Sequence, residues 1–309
     1  MNMILSIDIG GTAAKYGLVT REGRIVARHE ASVCFDGYRT PVLETVMREA
    51  EAFVAREGAA LCGVGISATG QIDDREGVVI GTNGKIPGYE GAQLCGEARA
   101  RFGVPAAALN DANAAALGEW FAGRGRDCEH LLMVTLGTGV GGGIVEHGQV
   151  LGGARGIAGE LGHFTLYQDG APCPCGKRGC FESYASTSAL VRAAQARFGD
   201  PTLDGRAIFA RAEAGDGGML SLLERWIGDI SAGISGLVHI LGPELVLIGG
   251  GVSAQEKLLI EPLRRKVLGQ VMPRFAEGLR IERAELGNDA GLVGAACFLI
   301  GRYPELARG

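Results

Sequence analysis

The sequence carries no surplus of positive charge: 30 Lys and Arg stand against 35 Asp and Glu, a net charge of −5. That balance argues against nucleic acid or an anionic membrane surface as the main partner. No stretch approaches the ~18 uninterrupted apolar residues of a membrane span. The first residues run straight into an apolar strand pattern, without a basic segment followed by an apolar one, so no export signal is expected and a cytoplasmic location is. No low-complexity linker divides the 309 residues, although that length implies about two domains. Glycine is what abounds, at 52 residues, well above the ~7% usual in globular chains. These glycines show no collagen-like period and cluster at strand ends, where phosphate-cradling turns occur.

Two common nucleotide fingerprints are missing as well. Asp8-Ile-Gly-Gly-Thr12 follows an apolar strand over 3–9, but it lacks the lysine and helix of a Walker A loop. A strand follows it, which excludes a Rossmann fingerprint. The glycines let an anion approach the backbone and Thr12 adds a hydroxyl, although a tight hairpin would use the same residues. A second copy strengthens the first reading. Residues 131–136 again form a strand, Gly137-Thr138-Gly139 a turn, and 144–145 a strand before Glu146-His147-Gly148. Gly10 aligns with Gly137 and Gly23 with Gly148 across a two-residue gap. Such duplication implies two similar domains facing each other, and two anion-binding turns suit a polyphosphate such as ATP.

Between the copies, apolar residues at 42, 43, 46, 47, 50, 53 and 54 make a helical stripe closed by Gly58. Residues 64–68 read as a buried strand entering a loop at 69–74, and 82–91 as a substrate-facing loop. A strand at 105–109 ends in Asn110-Asp111, where a helix over 112–122 begins. That pair suits a catalytic carboxylate and a helix cap equally well. Downstream, 185–198, 206–214, 219–241, 262–272 and 290–303 read as helices, and 244–248 and 280–284 as strands. His239, on the apolar helix 219–241, is expected to be a hydrogen-bonded core residue. Gly249-Gly250-Gly251 offers bare backbone on which an adenine or ribose can lie, or a plain strand-to-helix turn. The domain break is expected near 110–115.

The densest chemistry lies at 159–183. Cys173, Cys175 and Cys180 fall within eight positions, with His163 just upstream. Three thiolates and one imidazole make the Cys3His set of a closed tetrahedral zinc site, with no water position left open and hence a structural role. Gly176 and Gly179 let the loop turn tightly enough for the sulfurs to converge. The competing arrangement is a disulfide with a spare cysteine. A bridge from Cys173 to Cys175 would be strained, because cystine geometry wants Cα atoms about 4.4–6.8 Å apart in a particular orientation. The metal's expected task is to hold the flanking carboxylates, Glu160 and Glu182, in place. Cys34, Cys62, Cys95, Cys128 and Cys297 are scattered in apolar settings and are expected to be reduced core residues.

Asp8-Ile-Gly-Gly-Thr12, Asn110-Asp111, Leu136-Gly-Thr-Gly-Val-Gly-Gly-Gly143, Glu160-Leu-Gly-His163 and Cys173-Pro-Cys-Gly-Lys-Arg-Gly-Cys-Phe-Glu182 occur in one order. With them the chain resembles the ROK family of bacterial sugar kinases and sugar-responsive repressors. The resemblance implies an α/β, actin/hexokinase-like ATPase fold of two duplicated domains around a cleft, with a structural zinc loop at 163–180. A small domain over 1–112, completed by the C-terminal helix at 290–305, would face a large one over 113–289. The implied activity is transfer of the γ-phosphoryl group of ATP to the 6-hydroxyl of a hexose or hexose derivative. Asp8 would lie at the metal–phosphate end of the nucleotide. Gly10, Gly11, Thr12, Lys15, Gly137, Thr138 and Gly139 would hold phosphates, and Gly249, Gly250 and Gly251 would border the adenosine. Asn83, Asn110, Asp111, Glu160, His163 and Glu182 match the sugar-binding positions, with Asp111 as general base. His163 would ligate zinc through one ring nitrogen and reach the sugar with the other. The implied cofactors are ATP, Mg2+ and a structural Zn2+, and the implied assembly is a homodimer. One position departs: Lys85 stands where the family often has Asn, and the nearest asparagine is Asn83. Glucose is therefore not singled out from N-acetylmannosamine, N-acetylglucosamine, fructose or β-glucosides. A sugar-sensing repressor of this family would carry a helix-turn-helix ahead of the core, and with Asp8 so early in the sequence none is expected. The intact Asp8, Asp111 and both turns favour an enzyme over a non-catalytic sugar sensor.

Overall fold

The computed structural model describes every residue except Met1, Phe35, Asn83, Lys85 and Gly309. The chain divides into two compact units. The first runs to Asp127 and takes in Gly143–Gly159 and everything from Glu285 onward; the second holds Cys128–Gly142 and Glu160–Ala284.

In the first unit β1 (Met3–Ile9), β2 (Ala13–Val19) and β3 (Ile25–Ser32) form an antiparallel meander. Then come α1 (Val42–Glu57), β4 (Leu61–Ala68), a hairpin of β5 (Gln71–Asp73) and β6 (Val78–Gly81), α2 (Leu94–Phe102), β7 (Ala106–Asn110) and α3 (Asp111–Ala122). The sheet runs β3-β2-β1-β4-β7, with β4 and β7 parallel to β1. The second meander, β8 (His130–Leu136), β9 (Val140–Glu146) and β10 (Gln149–Val150), repeats the first. Next follow α4 (Glu182–Ala185), α5 (Thr187–Phe198), α6 (Gly205–Glu213), α7 (Gly217–Leu241), β11 (Leu245–Gly249), α8 (Glu261–Gln270), α9 (Pro273–Ala276), β12 (Arg280–Arg283) and α10 (Ala290–Arg302). The second sheet runs β10-β9-β8-β11-β12, the same order, with β10 antiparallel to β9 and with β8 and β12 parallel to β11. The duplication seen in the glycine turns thus extends to whole sheets. Its hairpin glycines share even a packing partner: a Cβ on Gly23 would sit 2.9 Å from Phe121, and one on Gly148 2.5 Å from Trp120, both on α3.

Each helix buries the stripe its spacing presents. On α1 Val42, Val46, Met47, Ala50 and Phe53 are buried, and Gly58 closes the helix in the left-handed conformation at φ 59. The small-residue helix α10 packs backbone against backbone. A Cβ on Gly294 would lie 1.7 Å from the Ala114 carbonyl oxygen on α3, and one on Gly65 of β4 would lie 2.3 Å from that of Ala295. Only glycine permits such an approach. Buried Glu119 on α3 accepts from Leu286 N (2.6 Å) and Arg124 N (3.1 Å), tying the entry to α10 onto α3.

The structure departs from the sequence expectations in several places. The expected division after residue 112 would strip α3 from its packing partner α10; contacts keep all of α3 in the first unit, which extends to Asp127 and reclaims 143–159. The helix expected over 185–198 is interrupted at Ser186. That residue is extended (φ −66, ψ 153) because its hydroxyl caps α5 through Ala189 N at 3.1 Å. The loop expected at 69–74 contains β5. His239 is exposed rather than in the core: its Nε2 accepts from Met272 N at 3.0 Å and its ring meets Phe275 edge-on.

Candidate active-site residues and the cysteine cluster

In the first unit the candidate residues gather at the carboxyl ends of the parallel strands β1, β4 and β7, where open α/β sheets present ligand sites. Asp8 lies opposite Lys15 on β2 and beside Ser67 on β4. The Ser67 hydroxyl, fully buried, donates to Asp8 Oδ1 at 2.6 Å, and Lys15 Nζ stands 3.7 Å from Oδ2. Ser67 was invisible as a site residue in the sequence, where its one signal is a hydroxyl inside the apolar run 64–68. The following turn is closed by Gly10 N donating to the Ala13 carbonyl at 2.9 Å.

Asn110 ends β7 in extended conformation and caps α3, its Oδ1 accepting from Ala112 N (2.9 Å) and Asn113 N (3.2 Å). Its Nδ2 donates to the Gly70 carbonyl (2.9 Å) and to Asp111 Oδ1 (3.0 Å). Of the two roles that the sequence left open for this pair, Asn110 fills that of the cap, and its amide orients the Asp111 carboxylate beside it. Ala112 N donates to the same Asp111 oxygen at 2.8 Å. Tyr89 is 2% exposed, and its hydroxyl has no hydrogen-bond partner among the described residues. Burial, then the charges of Asp111 and Asp8, push its phenol well above the ordinary range, so it stays protonated. Asn83 and Lys85 fall outside the described residues.

In the second unit the ligand atoms of His163, Cys173, Cys175 and Cys180 all lie within 4.8 Å of one another. His163 Nδ1 is 3.7 Å from Cys173 Sγ, and the sulfurs of Cys175 and Cys180 are 3.6 Å apart, far beyond the ~2.05 Å of a disulfide. All eight cysteines are free. The backbone N–H of Lys177 holds the Cys175 thiol below its usual range, while burial pushes Cys180 up to about 12. Three sulfurs and one imidazole nitrogen at this spacing fit a tetrahedral zinc ion. Because Nδ1 faces the cluster, Nε2 is the nitrogen left for another partner.

Glu182 links this loop to the second glycine turn. Its Oε2 accepts from Val140 N at 3.0 Å, and its Oε1 lies 4.0 Å from Cys173 Sγ. The turn itself is closed by Gly137 N on the Gly139 carbonyl, with Thr138 exposed at its tip. Glu160 is exposed, and its carbonyl accepts from His163 N at 3.0 Å. Gly250 adopts φ 88 and ψ 169, a conformation essentially confined to glycine, and a Cβ there would lie 2.2 Å from the Leu136 carbonyl. The Gly249–Gly251 turn therefore rests directly on the end of β8.

Residues 4–302, nearly the whole chain, match the family profile described as ROK family. The chain belongs to that family. It is 34% identical over 310 residues to the glucokinase of Thermotoga maritima, covering 96% of each chain. It is 33% identical to the β-glucoside kinase of Listeria monocytogenes, covering 94% of this chain and 95% of the other. The crystal structure of a ROK family glucokinase from Streptomyces griseus, in complex with glucose and AMPPNP, superposes with a TM-score of 0.77 at 32% identity, covering 96% and 98%. The fold is accordingly the α/β, actin/hexokinase-like ATPase fold, and this ROK protein is a sugar kinase of the hexokinase type.

Proposed function

We propose that this ROK kinase transfers the γ-phosphoryl group of ATP to the 6-hydroxyl of a hexose or hexose derivative, with Asp111 as general base. The observation that carries the reading is the placement of Asp111: a carboxylate at the carboxyl end of a parallel strand, fixed by the Asn110 amide and the Ala112 N–H. A sugar alcohol is a poor nucleophile at neutral pH. Asp111 accepts its proton as the oxygen–phosphorus bond forms, while the bond from phosphorus to the β,γ-bridging oxygen breaks and ADP departs.

The first turn, Gly10–Thr12, is assigned to phosphate, as is Gly137–Gly139, and Gly249–Gly251 to the adenosine. Asp8, oriented by Ser67 and paired with Lys15, is the carboxylate suited to the Mg2+ that accompanies ATP, which neutralises phosphate charge that an acidic protein cannot. His163, Cys173, Cys175 and Cys180 would hold a structural zinc ion, whose contribution is to close the loop. Glu160, Glu182 and His163 Nε2 are assigned to sugar hydroxyls, with Asn83 as a further contact. Asn110 has both amide atoms engaged, so its part is to orient Asp111. Carboxylates that need a hydroxyl partner reject analogues lacking one far more strongly than an apolar wall does. As for the ring itself, the Listeria relative's name keeps β-glucosides beside glucose, N-acetylmannosamine, N-acetylglucosamine and fructose.

A coupled assay of ADP release across those sugars tests the reading. Sugar-dependent turnover with one of them is expected, its product carrying phosphate at the 6-position. Silence across the panel, with sugar still bound, would mean a non-catalytic sensor instead.

A further inference from the structure

The first glycine turn is held from behind by the segment that follows β3. Tyr38 OH donates to the Gly11 carbonyl at 2.6 Å. The Thr12 carbonyl accepts from Val33 N at 3.0 Å and lies 3.4 Å from Ser32 Oγ and 3.6 Å from Cys34 Sγ. In a trans peptide the carbonyl and the next residue's N–H point in opposite directions. Anchoring the Gly11 oxygen on Tyr38 therefore aims the Thr12 N–H away from this segment. Among the described residues, no backbone acceptor takes the N–H of Gly11 or of Thr12.

Tyr38 itself adopts φ 63, in the left-handed region that a bulky residue rarely enters. Asp36 keeps it there: its carboxylate accepts from Arg39 N (3.0 Å), Thr40 N (2.9 Å) and Thr40 Oγ1 (2.7 Å). An aromatic side chain is thus hung from an unfavourable backbone so that one hydroxyl reaches one carbonyl. Loss of water and the neighbouring Cys34 raise the phenol above its ordinary value, so it remains a donor at neutral pH.

We propose that Tyr38 is a positioning residue for the nucleotide: through the Gly11 carbonyl it presets the Gly11–Thr12 peptide so that its N–H meets a phosphate oxygen of ATP. The inference rests on the reading of Gly10–Thr12 as a phosphate turn. Free of the Tyr38 hydroxyl, the peptide rotates, and the amide must be reoriented each time nucleotide binds.

Two variants of the full-length kinase separate the inference from the reading beneath it. Tyr38→Phe removes only the hydroxyl. It should raise KM for ATP by about three- to tenfold, the worth of one hydrogen bond, with kcat, the sugar KM and the melting temperature near wild type. Gly11→Val projects a side chain into space where a Cβ meets nothing within 4 Å. It should fold normally and lose more ATP affinity than Tyr38→Phe does. Wild-type ATP affinity in Gly11→Val overturns the phosphate-turn reading and the inference with it. An impaired Gly11→Val beside a Tyr38→Phe with wild-type KM for ATP overturns the role of Tyr38 alone. So does a Tyr38→Phe that melts earlier and weakens sugar and ATP together, because that marks a general structural role.

Discussion

At the scale of single residues, the proposed chemistry depends on how little freedom Asp111 has. One of its oxygens takes two donors, Asn110 Nδ2 and Ala112 N, so the carboxylate is aimed before any sugar arrives. Replacing Asp111 by Asn keeps the shape and removes the proposed base. Turnover should fall by about 10²–10⁴, the usual contribution of a general base, while calorimetry still detects sugar binding. Retained turnover in Asp111→Asn would assign the proton to another group. Glu119 works in the opposite sense, as a purely structural carboxylate. It is fully buried, and Glu119→Ala would leave the N–H groups of Leu286 and Arg124 without their acceptor. A loss of about 1–3 kcal/mol in urea unfolding is expected, with ATP and sugar KM unchanged. A wild-type unfolding midpoint would show that α3 and α10 hold without this tie.

Among the elements, the glycines of the β11 turn separate architecture from ligand space. Gly250→Ala forces a side chain into a glycine-only conformation against the Leu136 carbonyl, and should cost about 2–4 kcal/mol of stability. A Cβ on Gly251 meets nothing within 4 Å, so Gly251→Ala should keep wild-type stability and raise KM for ATP if adenosine lies there. Equal melting temperatures for the two variants would refute this division. The same contrast explains what the sequence discloses. α1 and α7 were legible because their apolar residues recur at helical spacing over more than three turns. The cysteine cluster was legible because all four ligands lie within 163–180. The β5–β6 hairpin was not, its strands being three and four residues long, and α2 was not, since Leu94, Cys95 and Ala98 make too thin an apolar stripe. Nor does spacing foretell that Ser67 finds Asp8, or Tyr38 finds Gly11. Those contacts join segments that only the folded chain brings together.

For the whole molecule, the cysteine loop raises the question of what a metal adds to a unit that already has a core. Phe181, fully buried, lies directly under α7, where a Cβ on Gly233 would come within 2.3 Å of its ring, and it stacks on Phe164 at 5.1 Å. Tyr167 OH donates to Asp229 on α7 at 2.7 Å, and Tyr184 OH accepts from Ala171 N at 2.6 Å. Trp226 Nε1 donates to the Ala185 carbonyl at 3.1 Å, just beyond the loop. These aromatic posts fix the ends of the loop on α7 without any ion. The segment from Cys173 to Cys180 between them is tied back at Gly179, whose carbonyl accepts from Leu166 N at 2.8 Å, and at Lys177, whose Nζ donates to the His163 carbonyl at 3.1 Å, but its tip at Cys173–Gly176 is one short turn carrying the exposed Cys175. Removing the zinc proposed for this cluster should therefore loosen this segment and leave the sheets folded. The expected result is a fall in melting temperature on the order of 5 °C or more, with the far-UV circular dichroism preserved. Glu182 follows the cysteines directly and touches both Cys173 and the Val140 N–H, so disorder in the loop reaches the second glycine turn. Kinase activity should fall together with the metal content measured by mass spectrometry, and return when zinc is restored. Zinc-free protein with full activity and an unchanged melting temperature would show that the aromatic posts suffice, and that the four ligands have some other task.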